Sequence, residues 1–550
     1  MRLRVPALVA LLNALALGAI WFVSDLMRQV QVMASIGLLA LSGVLLFVWF
    51  VFLSGAPRKA RYGVAATVAL IGIAAAGLFR FRGVTGDLIP IVEYRFAAPR
   101  VLPEAQSRPE DRAPAPPTTD ATAAASPQPL AAVETKPQPK ALTAGSEATT
   151  AEGAPAPATK TQENQDWPQF LGPTRAGVVP DVKLDTEWAA RPPKLLWRQP
   201  VGAGWAGFAV SGQIAVTQEQ RGDEEQVLAY DLRTGRPLWS HRDKALHDSP
   251  LGGIGPRGVP AIEGGQVFAQ GATGLLNALD LRTGRLLWSR NILKDNNGVE
   301  PEWGIAISPL VHGGRVIVAT GGKPGKALVA YDRNTGEPAW AAGNSGLAYS
   351  SPVVMTLGGR EQIVVLNKDS VAGHDPSSGA ELWTQPMPGE QPTVAQPLSL
   401  SANRVLFSIG YGVGSRVFEV AQAAETGLSS KLVWSSPRLK SKFANMILFE
   451  GSIYGLDDGV FVCLDPDTGE RRWKAGRFGH GQLILVGKHL LLQTEQGEVL
   501  IVEPNPERLI EVARFQALSG KTWNPPAFAA PILLVRNDLE AAAYELPVRP

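Results

Sequence analysis

Val227-Leu228-Ala229-Tyr230-Asp231-Leu232-Arg233-Thr234-Gly235-Arg236-Pro237-Leu238-Trp239 is the stretch that decides the fold. Val227 to Tyr230 alternate like a strand, and the Asp231 carboxylate can hold the turn that follows. Gly235 supplies the positive φ that a four-residue hairpin loop with a bulge requires. The chain then returns antiparallel and carries Trp239, a side chain too large to be left in water.

The pattern recurs at Asp280/Thr283/Gly284/Trp288, at Asp332/Thr335/Gly336/Trp340 and at Asp465/Thr468/Gly469/Trp473, with a looser copy at Asp375/Ser378/Gly379/Trp383. Each unit is a small sheet whose apolar face only a neighbouring sheet can cover, so the units stack. Radial stacking gives a β-propeller. The expected blade-docking tryptophans are Trp197, Trp239, Trp288, Trp340, Trp383, Trp434 and Trp473, with Phe515 in the eighth place, at spacings of 39 to 52 residues. Eight outer strands imply eight blades. No Asp-x-x-Thr-Gly precedes Trp197, and the strand candidates Ile532–Val535 and Ala541–Leu546 are followed by no outer strand. The Trp197 strand is therefore expected to complete the last blade and close the ring, which removes open edges.

The repeat resembles the Ala-x-Asp-x-x-Thr-Gly-x-x-x-Trp docking motif of quinoprotein-like eight-bladed propellers, named for enzymes that bind pyrroloquinoline quinone (PQQ). The resemblance covers roughly Asp166 to Pro550, and Asp166-Trp167-Pro168-Gln169-Phe170-Leu171-Gly172-Pro173 is similar to the start of a bacterial, PQQ-binding-like branch. It implies the fold. It leaves activity open, because the same fold serves dehydrogenases and a non-catalytic scaffold lipoprotein of outer-membrane protein assembly.

Residues 1–82 hold three apolar stretches, about Val5–Val23, Val32–Leu53 and Tyr62–Phe79, each near the ~20 residues of a bilayer-spanning helix. No small-residue cleavage site separates the first from the others, so it reads as a span and not as a signal peptide. Arg2 and Arg4, then Arg58, Lys59 and Arg61, lie on one side of the membrane in this reading; Arg28 beside Asp25, and Arg80 and Arg82, lie on the other. The positive-inside rule places the N-terminus in the cytoplasm and the propeller outside it, on the periplasmic side of an inner membrane where there are two. Residues 83–103 read as a juxtamembrane segment. Residues 104–165, rich in Pro, Ala, Thr and Glu, read as a disordered tether able to hold the propeller tens of ångströms from the bilayer.

The chain has a net charge of +2, but residues 1–100 carry ten Lys and Arg against three acids, which leaves the remainder at about −5. No basic stripe exists to neutralise phosphates, so nucleic acid is not an expected partner. The single cysteine, Cys463, reads as a small buried hydrophobe in the strand Val460–Leu464. It excludes an intramolecular disulfide and a Cys-x-x-Cys-His haem site. It also rules out the adjacent-cysteine disulfide of many quinoprotein alcohol dehydrogenases; the membrane glucose dehydrogenases of that superfamily lack it too, and carry several spans.

Propellers bind ligands at one mouth of the central channel, where inner strands begin. Those positions give Trp303, Lys442, Asn445, Arg477, Gln482, Lys521, Trp523 and Asn524 as candidate binding residues, with His480, Glu300 and Glu302 as candidate catalytic ones. A PQQ enzyme needs an aromatic platform (Trp523 or Trp303), a cation near the quinone (Lys442, Lys521 or Arg477), oxygen ligands for Ca²⁺ (Glu300, Glu302, Asn524) and a base (His480). Each also has a structural alternative: His480 bonding a neighbouring blade, Trp523 packing at ring closure, Glu300 and Glu302 as solvated loop charges. No Asp-x-Asp-x-Asp motif ties the donors together, and no metal site is assigned. Asp457-Asp458-Gly459 reads as a hairpin turn. The expected function is a membrane-anchored binding or scaffold module of the cell envelope, acting on protein partners or on a small molecule at the mouth. The alternative is a PQQ- and Ca²⁺-dependent dehydrogenase that oxidises an alcohol or sugar and reduces membrane quinone.

Overall fold

In the computed structural model, which describes residues 4–24, 28–96, 166–322, 324–387, 391–423 and 427–549, eight antiparallel sheets form an eight-bladed propeller. The tether expected at 104–165, and Asp25, lie outside the described residues. Seven blades run in chain order over residues 209–243, 261–291, 310–342, 353–386, 398–436, 447–477 and 482–516. The eighth combines strands from 527–545 with Lys194–Pro200, whose Trp197 pairs with Ala543. The ring is thus closed by the two ends of the propeller chain, as its unmatched outer strand required.

The docking geometry explains the repeat. Trp288 Nε1 donates to the carbonyl of Arg333 in the next blade at 2.8 Å, and Trp197, Trp239, Trp340, Trp434 and Trp473 make the equivalent bond to Leu232, Leu281, Pro376, Pro466 and Asn505. The accepting carbonyl belongs to the turn, which the motif aspartate ties: Asp332 Oδ1 accepts from the Thr335 amide at 2.9 Å. Gly336 has φ +72°, and a Cβ there would stand 2.6 Å from the Trp288 ring. The motif glycine therefore serves both the turn and the close approach of the neighbouring indole. Opposite each tryptophan on its own sheet stands a smaller residue, Ala330 opposite Trp340 and Cys463 opposite Trp473. Cys463 is buried, as read from the sequence, and fills the alanine place of the motif.

Trp383 departs from the docking role. Its indole is buried but donates to Gln362 Oε1 of its own blade. In the fifth blade Trp434 follows Gly427 by seven residues where the motif has four. A continuous strand, Gly427–Ser436, therefore runs past Trp383, and Ser430 accepts from Gln385 at 3.0 Å. Phe515 follows the same logic. The eighth blade joins its last two strands from opposite ends of the chain, so no turn carbonyl awaits an indole N–H, and Phe515 packs edge-on against Tyr544 and Trp188 instead.

Among the described residues three helices are long and apolar enough to cross a membrane: α1 (Val5–Val23), α2 (Arg28–Leu53) and α3 (Arg58–Leu78). α3 runs directly into a hairpin of β1 (Phe79–Val84) and β2 (Pro90–Tyr94). The hairpin turn, Thr85–Ile89, enters the mouth of the propeller channel, with Gly86 N donating to Glu495 Oε1 at 2.7 Å. Mouth and hairpin are thus in direct contact. Deeper along the same inner strands, the segment after Asp166 fills the channel. Buried Arg175 donates to the carbonyls of Ser308 and Pro309, and its own carbonyl accepts from Gln396. Val178–Val179 pairs in parallel with Leu485–Val486 of the seventh blade.

Candidate functional site

Between the hairpin turn and Phe170 the channel holds a partly open cavity of about 240 Å³. Its wall is aromatic: Trp205, Trp303, Tyr349, Tyr411, Phe443 and Trp523, with Val84, Thr85, Gly86 and Leu88 of the turn on the hairpin side. All of the aromatic side chains except Tyr411, which sits in the hairpin between the second and third strands of the fifth blade, precede an inner strand, and Trp303 and Trp523 are among the candidates read from the sequence.

Around the turn the mouth is polar and buried. Glu495 accepts from the Gly86 amide, from Trp523 Nε1 at 2.9 Å and from the His480 amide at 3.1 Å. Lys442 Nζ donates to the Gly86 carbonyl at 3.3 Å and stands 3.6 Å from Asp458. Burial lowers its pKa, with Asp458 and Asp87 opposing. Lys521 Nζ donates to the Val84 carbonyl at 3.2 Å and lies over the Trp205 and Trp523 rings at 4.6 and 4.1 Å. Burial first, against Asp538 and Glu495, brings it down to about 8. His480 Nε2 faces Asp87 Oδ1 at 3.4 Å, and Arg28 of α2 donates to Asp87 Oδ2 at 2.9 Å. Burial alone raises the Asp87 pKa, but His480, Lys442 and Arg28 outweigh it and hold the carboxylate ionised.

Of the candidate residues, the structure gathers Lys442, Asn445, Arg477, His480, Gln482, Lys521 and Trp523 at the turn and its cavity. Trp303 lies on the cavity wall, stacked on Tyr349 at 5.2 Å, and its buried indole N–H has no hydrogen-bond partner among the described residues. Arg477, half exposed, stands 3.5 Å from Asp87. Gln482 donates to the carbonyls of Phe443 and Trp523, and Asn445 Oδ1 accepts from the Gln396 amide. The remaining three go elsewhere. Glu300 bonds His247 Nδ1 at 2.6 Å, Glu302 is exposed, and the buried Asn524 amide donates to the carbonyls of Gly204 and Ala206 across the closure seam. Sequence reasoning missed Glu495, Trp205, Tyr349, Tyr411 and the hairpin turn. Trp205 could have been found, since it opens the first inner strand just as Trp523 opens the last.

A second acidic spot lies beside the mouth. Glu225, buried, accepts from the Ala272 amide at 3.0 Å. Burial, with Asp243 and Glu300 adding, pushes its pKa up from 4.5 to about 7. A raised carboxyl pKa gives stability that is full below the ordinary carboxylate range and lost as pH rises through 7. Glu225→Gln keeps the acceptor and removes the charge. It is expected to stabilise the protein at pH 8 by roughly 2–3 kcal/mol and to flatten unfolding between pH 4.5 and 7. Chemical denaturation at several pH values reads both.

With this geometry in view, the comparisons with known proteins are specific about fold. A family model described as "Outer membrane protein assembly factor BamB" matches residues 178–307 and 300–475, together more than half of the chain. The chain belongs to this family of PQQ-type propellers. Among solved structures, the quinohemoprotein alcohol dehydrogenase from Comamonas testosteroni is similar at TM-score 0.52 and 14% identity, covering 69% of this chain and 80% of that one. The quinohemoprotein alcohol dehydrogenase ADHIIG from Pseudomonas putida HK5 gives 0.50 and 13%, covering 71% and 81%. BamB from Moraxella catarrhalis gives 0.45 and 17%, covering 64% and 98%. At these identities the likeness is one of fold. No curated protein sequence matches the chain.

Despite the PQQ-type name, the residues at this mouth do not fit a PQQ–calcium site. Glu300, Glu302 and Asn524 do not converge, and among the described residues no group of three or more His, Cys, Asp or Glu side chains could share a metal ion. The cations that would face a quinone, Lys442 and Lys521, are engaged with main-chain carbonyls of the turn.

Proposed function

We propose that the protein is a membrane-anchored, extracytoplasmic binding module whose channel mouth engages polypeptide segments of envelope proteins. One observation carries this reading: polar side chains of the mouth, buried Glu495 and Lys442 and half-buried Lys521, act on the backbone N–H and C=O groups of a polypeptide turn. Backbone-directed contacts give affinity for a chain segment whatever most of its side chains are. The family supports it as fold-level analogy, since its description names an assembly factor. Beside the mouth, Leu246, Leu251, Ile254 and Val299 are exposed on neighbouring inter-blade connections, the apolar character of a contact surface.

The placement outside the cytoplasm rests on charge. Three spans put the propeller opposite the N-terminus, away from Arg2, Arg4, Arg58, Lys59 and Arg61. Arg80 and Arg82, which argue weakly the other way, are both in ion pairs: Arg80 with Glu93, and Arg82 with Asp538 and Glu93.

A photo-crosslinking residue placed at Val299 or Leu251 in cells is expected to give discrete adducts with envelope proteins, while the same residue on the outer strand at Val512 gives none. The dehydrogenase reading is tested on the purified full chain with PQQ and Ca²⁺. Saturable one-to-one tryptophan quenching that Trp523→Ala abolishes would replace the binding-module reading by the enzymatic one.

A further inference from the structure

The turn in the mouth is held as a ligand is held. Four polar contacts reach its backbone: Glu495 takes the Gly86 N–H, Lys442 and Gln29 of α2 donate to the Gly86 carbonyl, and Lys521 donates to the Val84 carbonyl. A fifth group of contacts reads one side chain, the Asp87 carboxylate, through His480, Arg477 and Arg28. Glu495, Lys442 and His480 are each at least 95% buried, so these are built positions and not surface charges. Gly86 cannot be replaced: a Cβ would stand 1.9 Å from the His480 ring. The site therefore specifies glycine followed by aspartate in a turn, here closed by the Leu88 amide donating to Thr85 O at 2.9 Å.

Behind the turn the cavity of about 240 Å³ is covered by Val84 and Leu88 without being filled by them. Smaller apolar cavities accept a benzene ring, so this one has room for a larger apolar side chain than leucine. The turn and the propeller belong to one chain, with 69 residues between Phe96 and Asp166. Such linkage holds the turn near the mouth at an effective concentration on the order of millimolar.

We propose that the mouth is a binding site for a Gly-Asp β-turn of a polypeptide, that the Thr85–Leu88 turn is its resident ligand, and that a partner protein presenting the same turn with a bulkier apolar residue in the Leu88 place displaces it. This deepens the binding-module reading by naming the ligand class, and rests on it. Displacement frees the hairpin from the propeller while the chain connection persists, so partner capture is coupled to release of the propeller from its membrane-side hairpin.

The test uses the full chain in lipid nanodiscs and a fluorescent, disulfide-cyclised peptide carrying the Val84–Ile89 sequence. Gly86→Val protein, whose own turn no longer fits, is expected to bind the peptide at least about tenfold more tightly than wild type, in which the resident turn competes. Replacing the aspartate of the peptide by asparagine should cost about tenfold, because it removes a charge-assisted contact. A tryptophan in the Leu88 place of the peptide should tighten binding. Asp87→Ala protein is a second way to empty the mouth, should Gly86→Val disturb the hairpin. Equal affinity of wild type and both variants, or no saturable binding to any, overturns the proposal. Peptide binding without crosslinks from Val299 or Leu251 would overturn the binding-module reading alone; crosslinks without peptide binding would overturn the turn site alone.

Discussion

Trp288→Ala is expected to lower the stability of the propeller by about 3–5 kcal/mol, the range for emptying a buried large aromatic site. Two losses add. The indole leaves a void between the second and third blades, and the Arg333 carbonyl loses the donor now 2.8 Å away. Gly336→Ala should cost less, about 2–3 kcal/mol, from the left-handed backbone and from a Cβ 2.6 Å from the ring. The double variant separates the causes: without the indole, Gly336→Ala should cost only about 1 kcal/mol, the backbone part. Urea unfolding of the four proteins reads the cycle. Strict additivity would mean that the glycine serves the turn alone and that indole contact plays no part in its selection.

Glu495→Ala is expected to cost a similar amount, about 3–5 kcal/mol, for a different reason. Its carboxylate is the acceptor for three N–H groups, from Gly86, His480 and Trp523, and it is 5% exposed. Truncation leaves these buried donors unpaired, at roughly 1–3 kcal/mol each. Glu495→Gln, which keeps an acceptor oxygen, should lose only about 1–2 kcal/mol. A second readout is independent of unfolding. Glu495 is one of the charges that hold the Lys521 pKa up, so its neutralisation should raise the reactivity of Lys521 towards an amine reagent at pH 7.5. Equal stability of the alanine and glutamine variants would show that the three donors find other acceptors.

The blade count, the ring closure through Trp197 and the buried character of Cys463 were all legible in the residues, because the information is local. An Asp-x-x-Thr-Gly turn closes on itself within five residues: Asp231 Oδ1 meets the Thr234 amide at 2.9 Å wherever the blade lies. The departure at Trp383 was half legible. The seven residues from Gly427 to Trp434 are visible in the chain, but that they leave the indole to Gln362 depends on how two blades face each other. At the mouth, inner-strand starts pointed to Lys442, His480, Lys521 and Trp523, since the repeat fixes where each strand begins. It could not say that Glu300 turns to His247, or that Asn524 is spent on the closure seam.

The sequence by itself thus determined the architecture: three apolar segments of bilayer length and a repeat whose turn chemistry and strand alternation specify one blade at a time. Tertiary structure alone decided what occupies the mouth. The Gly86–Glu495 bond joins residues 409 apart in the chain, and no periodicity or local propensity links a juxtamembrane Gly-Asp turn to an acid on the seventh blade. Short-range physics writes itself into sequence as pattern. A site assembled from the loops of many blades and one distant hairpin exists only once the ring has closed around it.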